Sequence, residues 1–302
     1  MDVVPVTPDI SIQRRLRSCT RHVPFRVGAS LLNLILFATG CDDRPPDWQV
    51  SGGVGEYPTM ELNISCPFQR RMFYFPVAYW RRLMTLPFGR YIAGTLQPGQ
   101  TFVDIGASVG FYSLFASHRV GPTGSVFAVE PEPATFESLR RSVIRNRFEW
   151  TTCLNVALSD HVGRMPLYTV ADGSAHSLVP EIPSRASRYS GQASVRVTTL
   201  DRLSDEGVLG TDRIDLIKID VEGAEARTVE GSLATLERFD FPPVWAEVRG
   251  PRGSTRAPNT FPVVAGALEN LGYAPFFRKN GQLRKASVSQ VQGIADILFR
   301  RL

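Results

Sequence analysis

The sequence predicts an α/β fold: a mostly parallel sheet with helices on both faces, preceded by a helical and irregular cap. Two observations carry this expectation. From Gln100 onward, short runs rich in Val, Ile and Phe alternate with stretches of helical period, the pattern of parallel strands joined by crossover helices. The first of those runs, Thr101-Phe-Val-Asp-Ile105, leads straight into Gly106 and a helix, the unit that opens such sheets.

Taken in order, Val109 to Ser117 reads as a helix and Gly121-Pro-Thr-Gly124 as a turn. Ser125 to Val129 is a second buried strand, ended by Glu130-Pro131. Pro133 to Arg145 is an amphipathic helix with Phe136, Leu139 and Val143 on one face. Thr152 to Leu158 gives a third strand. Residues 162–200 carry Gly, Ser, Arg and Pro throughout, break the alternation, and read as an inserted hairpin with a mobile loop. The pattern resumes with a strand to Ile219, a helix from Ala224 to Leu236 and a strand from Val244 to Val248. Two last strands fall at Ala274–Phe277 and Ile294–Phe299. Ahead of all this, Val50 to Gly99 is rich in Pro, aromatics and Arg, with apolar runs such as Met72–Phe75 and Tyr79-Trp80, and reads as a small cap. The division expected is residues 1–98 for N-terminal helix, linker and cap, and 99–302 for the main domain.

Composition narrows the class. Hydrophobic residues are 43% and charged residues 21% of 302, which excludes disorder of the whole chain. Cys19, Cys41, Cys66 and Cys153 form no C-x-x-C pair, so neither a zinc site nor a redox pair is signalled, and a reducing compartment is expected. Net charge is +5, from 34 basic and 29 acidic residues. Residues 10–37 hold Arg14, Arg15, Arg17, Arg21 and Arg26 and no acid, so the rest of the chain balances. That balance argues against a broad nucleic-acid surface. An acidic partner, such as a membrane surface, suits only the N-terminal segment. The apolar run Ala29–Gly40 is about a dozen residues, too short for a bilayer that takes about 20. It reads as a packing or amphipathic helix of a cytoplasmic protein, with peripheral membrane contact and a lipoprotein-like signal ending at Gly40-Cys41 as the other two readings.

The chemistry starts at the first glycine turn. Gly106 lets backbone approach a ligand, Gly110 lets the helix pack close, and the helix start offers N–H groups. Glu130 ends the next strand twenty positions after Gly110, the spacing of a carboxylate that takes both hydroxyls of a ribose. Nicotinamide sites set three glycines around a pyrophosphate, whereas here only Gly106 and Gly110 fall in the turn and Asp104 precedes them. An acid repels pyrophosphate and suits an ammonium. Asp104 and Glu130 are therefore read as gripping opposite ends of S-adenosylmethionine, which carries an ammonium, a ribose and no phosphate.

Residues about 100–250 resemble the FkbM family of S-adenosylmethionine-dependent methyltransferases. The matching segments are Asp104–Gly110, Ala128-Val-Glu-Pro131, Asn155–Asp160, Thr199-Leu-Asp201 and, most specific, Ile217-Lys-Ile-Asp-Val-Glu-Gly-Ala-Glu225, with Glu247 on the following strand. Ser108 stands where the family usually has Asn. The resemblance implies a class I methyltransferase, Rossmann-like fold. It implies O-methylation of a hydroxyl on a sugar, glycolipid or secondary metabolite, hence a small-molecule or glycan acceptor. By the same match, Ala107, Ser108 and Phe111 join Asp104, Gly106 and Gly110 around the cofactor, and Pro131, Asn155, Ala157 and Asp220 join Glu130.

An alcohol acceptor needs a group to take its proton. Candidates are Asp220, Glu222 and Glu247 at strand ends, with His176 on the inserted loop. Each has a plainer reading: helix capping for Asp220 and Glu222, pairing with Arg249 for Glu247, an ordinary loop histidine for His176. The three acids could converge, but without a His or a clear acidic pair at ligand spacing no metal is expected. Two rival functions stay open. One is an inactive adenosyl-binding module serving as an assembly partner; the other is a nucleotide-dependent oxidoreductase, for which the third glycine and a Tyr/Lys or His arrangement are missing. The N-terminal expectation is directly testable. A packing helix leaves Met1–Gly40 attached, so mass spectrometry of protein from its native host recovers those residues, and a mature chain starting at a lipid-modified Cys41 overturns the cytoplasmic placement.

Overall fold

Ahead of the main sheet lie a two-stranded antiparallel ribbon, β1 (Gln49–Gly52) and β2 (Met60–Asn63), and two helices, α1 (Pro67–Tyr74) and α2 (Pro87–Thr95). The computed structural model describes residues 49–52, 58–63, 66–74, 86–170, 173, 176–180, 189–250, 259–279, 282–287, 290–291 and 293–302. The readings made for residues 10–40 and for Tyr79-Trp80 lie outside them. The ribbon is not detached: the β2 backbone is held by side chains of the helix 133–145, with Thr59 N–H donating to Asn146 Oδ1 at 2.8 Å and Glu61 N–H to Ser142 Oγ at 2.8 Å.

The first half of the sheet comprises β3 (Thr101–Ile105), α3 (Phe111–Val120), β4 (Ser125–Val129), α4 (Pro133–Arg145) and β5 (Thr151–Leu154). The insertion follows as β6 (Ala157–Leu158), β7 (Gly163–Val170) and β8 (Tyr189–Thr198), a separate three-stranded sheet. The second half comprises α5 (Leu200–Asp205), β9 (Leu216–Ile219), α6 (Glu225–Glu230), α7 (Leu233–Arg238), β10 (Val244–Arg249) and α8 (Phe261–Glu269). It closes with β11 (Tyr273–Lys279), β12 (Gln282–Lys285) and β13 (Ile294–Arg301).

Strand order in the main sheet is β12-β11-β13-β10-β9-β3-β4-β5. β3 pairs parallel with β4 on one side and β9 on the other, β9 pairs parallel with β10, and β13 enters antiparallel between β10 and β11. The chain thus starts at the middle, winds outward, and returns to the other side of β3. That reversal makes a crevice beyond the carboxyl ends of β3 and β9, where open sheets bind ligands.

Alternation along the strands sends side chains to two cores. Val103, Ile105, Ile217 and Ile219 pack under α6, α7 and α8 through Val229, Leu236 and Phe261. Phe102, Val126 and Leu216 pack under α2, α3 and α4 through Ile92, Leu114 and Leu139. The expected sheet with helices on both faces is therefore what the chain builds. Among the described residues no helix is long and apolar enough to cross a membrane.

Differences from the sequence reading have local causes. The helix expected from Val109 starts at Phe111, because Gly110 takes φ 90 as its N-cap. The strand expected over Thr152–Leu158 is two strands, since Ala157-Leu158 leaves the main sheet to pair with β8. The helix expected over Ala224–Leu236 breaks at Gly231-Ser232, where a Cβ on Gly231 would lie 2.0 Å from the Ser159 carbonyl oxygen. Helix α8 and strand β12 were not anticipated. Phe102 is fully buried at the centre of its core. Phe102→Ala is expected to lower the unfolding free energy by about 3–5 kcal/mol in urea denaturation.

Candidate functional site

The turn after β3 is shaped by close backbone approach. Gly106 has φ 80, and a Cβ there would lie 1.9 Å from the Asp220 carbonyl oxygen, so only glycine lets this turn abut the one after β9. Gly110 has φ 90, and a Cβ there would press on the end of the Leu139 side chain, 2.5 Å from Cδ1. Ser108 adopts φ 52, a left-handed conformation that Asn enters more readily than Ser, which gives a physical sense to the residue usual in the resembled family.

A cavity of about 210 Å³ opens beside these turns. Of the residues expected around a cofactor, Gly106, Ser108, Glu130, Pro131, Ala157 and Asp220 line it. Glu222 and His176 line it too. Sequence reasoning missed much of the apolar wall, including Phe68 from α1 and Leu167, Leu178 and Val156 from the insertion. Their hydrophobicity was visible, but nothing in the sequence says that the hairpin folds back over the turn.

Glu130 is 6% exposed, and its oxygens accept N–H groups from Ser108 at 2.9 Å and Glu132 at 2.8 Å. Burial pushes its carboxyl up to about 7, against the pull of those two donors. Each oxygen keeps a lone pair for a further donor, which is what a ribose diol supplies. Asn155 does not line the cavity; its amide donates to the carbonyls of Glu130 at 2.8 Å and Pro131 at 3.1 Å and so fixes the backbone that carries Glu130. Ala107, Gly110 and Phe111 are buried behind the turn.

Asp104 corrects the expectation. It is fully buried and outside the cavity lining. Its carboxylate accepts the Ser113 hydroxyl at 2.6 Å and the Lys218 ammonium at 3.1 Å. The strand that carries it places its side chain beneath the turn rather than into the crevice. Asp220 does line the cavity, and its carboxylate lies 3.5 Å from Lys218 Nζ. Burial works to lower the proton affinity of Lys218, but the charges of Asp104 and Asp220 outweigh it and hold the ammonium above its ordinary value.

The second turn gathers the candidate bases. One carboxylate oxygen from each of Asp220, Glu222 and Glu247 lies within 4.8 Å of the others. Two cations already stand against this group, Lys218 by Asp220 and Arg249, whose Nη2 donates to Glu222 Oε2 at 2.9 Å. Arg249 therefore pairs with Glu222, not with Glu247 as the plainer reading had it. Capping does not account for Asp220 or Glu222 either, because α6 starts only at Glu225 with Ala224 as its N-cap. Burial pushes the Glu247 carboxyl up to about 8, with the charges of Asp220, Glu222 and Asp296 adding to it and Arg249 opposing. His176 lines the cavity, and its Nδ1 accepts the Val170 N–H at 3.3 Å, so that nitrogen is engaged. The neighbouring Ser177 hydroxyl donates to the Glu222 carbonyl at 2.7 Å and ties the insertion to the acidic turn.

The profile of the methyltransferase FkbM domain matches residues 104–275. The chain belongs to the FkbM methyltransferase domain family. Curated relatives fit with this. The methyltransferase sdnD of Sordaria araneosa is 30% identical over 166 residues, 47% of this chain and 63% of that protein. The 31-O-demethyl-FK506 methyltransferase FkbM of Streptomyces tacrolimicus is 30% identical over 170 residues, 49% of this chain and 63% of that one. The 2-O-methyltransferase NoeI of Sinorhizobium fredii is 28% identical over 201 residues, 62% of this chain and 79% of that one. The chain thus spans somewhat under two thirds of the length of the first two relatives.

The donor set suits S-adenosylmethionine, the methyl donor the FkbM family implies. The lining offers Glu130, Asp220 and Glu222 and no Lys or Arg among the described residues, which favours a cationic ligand bearing hydroxyls over a pyrophosphate. In an FkbM protein so arranged, Glu130 would hold the ribose and Asp220 the ammonium end. Glu130→Ala is expected to weaken binding of methylthioadenosine, which lacks the amino-acid part, about ten- to a hundredfold in calorimetry. The ionised carboxylate is the form that accepts hydroxyl protons, so wild-type affinity should fall as pH drops through about 7 and the variant should lose this dependence. Asp104→Ala, by contrast, strands the buried Lys218 ammonium and should cost about 3–5 kcal/mol of folding stability.

Proposed function

We propose that this FkbM-family chain is an S-adenosylmethionine-dependent O-methyltransferase acting on a hydroxyl of a sugar, glycolipid or secondary metabolite. The observation that carries the reading is the gathering of Asp220, Glu222 and Glu247 at the carboxyl edge of β9 and β10, next to an acid-lined cavity. Support also comes from two relatives whose names specify O-methyl transfer or its O-demethyl substrate. When bound, the cofactor supplies a methyl carbon made electrophilic by its sulfonium.

The chain's own part is positioning and proton transfer. Glu130 and Asp220 orient the two ends of the cofactor. Glu247 takes the proton of the acceptor hydroxyl. Among the three acids it suits this role best, because Lys218 already stands against Asp220 and Arg249 against Glu222. A base works best with a proton affinity near the working pH, and Glu247 at about 8 meets that condition. The sequence reading favoured Asp220 for the base; here Asp220 serves the cofactor.

The ionised form of Glu247 is the active one and its pKa is raised, so turnover should climb as pH rises through about 8 and fall away below it. Glu247→Gln keeps the shape and removes the basicity. It should lower single-turnover methyl transfer by about 10²–10⁴ while leaving cofactor affinity and melting temperature near wild type. Near-normal turnover would return the role to Asp220, Glu222 or His176. Cofactor binding without transfer across a broad panel of alcohols would support the inactive adenosyl-binding module instead.

A further inference from the structure

We infer that Asp296 is a positioning residue that controls the protonation of Glu247, the two carboxyl groups holding one proton between them across the β10–β13 ladder. This rests on the reading of Glu247 as the base, yet its test does not need catalysis.

The geometry comes from strand register. Glu247 and Asp296 are direct partners in the antiparallel β10–β13 pair. Residues paired in this way project to the same face with Cβ atoms about 4.5–5.5 Å apart, and two like charges so placed destabilise the sheet. Both residues are half-buried. Neither carboxyl is among the groups that Arg249 or Lys218 contacts within ion-pair distance, since those cations serve Glu222, Asp104 and Asp220. The ladder therefore sets two carboxyl groups opposite each other in poor solvent with the nearest cations committed elsewhere. A proton shared between them removes the repulsion, as it does wherever paired carboxyls cannot both ionise.

The surroundings act in the same direction. Facing the pair are Asp220 and Glu222 from the turn after β9, Lys218 within β9, and Arg249 on β10. Tyr112 on α3 interacts with Asp296, Asp220 and Lys218, while Tyr91 on α2 faces Arg300 of β13. The two cations are each paired with one of the other acids. Burial raises the proton affinity of Asp296, against the Trp245 side chain and the Lys218 charge and with the Asp220 charge adding; burial raises Glu247 too, and the Asp296 charge is among the groups that add to it. In use, the ionised pair would take the acceptor hydroxyl's proton, hold it between Glu247 and Asp296, and release it to water; no electron changes hands.

The test is a carboxyl-carbon NMR titration of the full chain, with the Glu247 signal assigned by its loss in Glu247→Gln. In wild type, the Glu247 and Asp296 signals should both move in two coupled steps. In Asp296→Asn, the Glu247 midpoint should drop by about one pH unit, and the acid limb of turnover against pH should move with it. A loss of packing alone would lower turnover at every pH without moving that limb. Independent single-step titrations in wild type, or an unmoved Glu247 midpoint in the variant, overturn the inference. If Asp296→Asn does not fold, the wild-type titration alone decides. A shifted midpoint without methyl transfer to any acceptor would sink the catalytic reading and leave this one standing.

Discussion

Lys218 carries its ammonium into the interior of the sheet and meets the Asp104 carboxylate at 3.1 Å, the Gly106 carbonyl at 3.2 Å and the Asp220 carboxylate at 3.5 Å. Its side chain is 5% exposed, so these groups replace water for a full charge. A buried ammonium is tolerated only with such partners, and the partners are held in turn by it. Through this one group the turn after β3 and the turn after β9 take fixed positions relative to each other. The 1.9 Å that a Gly106 Cβ would leave to the Asp220 carbonyl shows how closely they meet. Gly106 and Ser108 on one turn, and Asp220 and Glu222 on the other, face the crevice from these fixed positions.

The same neighbourhood sorts chemically similar residues into different duties. Five carboxylates gather around this group, on β3, the turn after β9, β10 and β13. Asp104 is spent on Lys218 in the interior, Glu222 on Arg249, and Asp220 stands beside both Lys218 and the cavity. Among the described residues, Glu247 and Asp296 have no cation within ion-pair distance, which leaves them as the groups able to exchange a proton. Sequence identity of the side chain decides none of this; register and the reach of two cations do.

The parts of this architecture readable from sequence were those written in local patterns. The buried runs at 101–105, 125–129 and 216–219 became central strands because apolar continuity is enough to mark a strand covered on both faces. The glycine turn and Glu130 were legible because close approach and ribose-type spacing demand particular residues at particular offsets. Asp104 was misplaced in role because alternation along a strand says which residues share a face but not which face meets the ligand. The break at Gly231 and the departure of Ala157-Leu158 from the main sheet were invisible for a related reason, as both answer to residues distant in sequence. Asp296 could not be linked to Glu247 without knowing that β13 slots in beside β10.

The join between β3 and β9 has a consequence for how the molecule comes together. The ladder that unites the halves pairs Phe102 with Leu216 and Ile105 with Ile219, strands separated by most of the first half of the fold and the whole insertion. The first three strands can form from near neighbours, whereas this seam waits on a long loop closure. The crevice is built on that seam, with Glu130 on one bank and Asp220 on the other. A ligand lying across it would act as a stitch, binding only when both halves are assembled and drawing the equilibrium toward the assembled state by mass action. The abundance of folded protein in a cell would then follow the supply of that ligand.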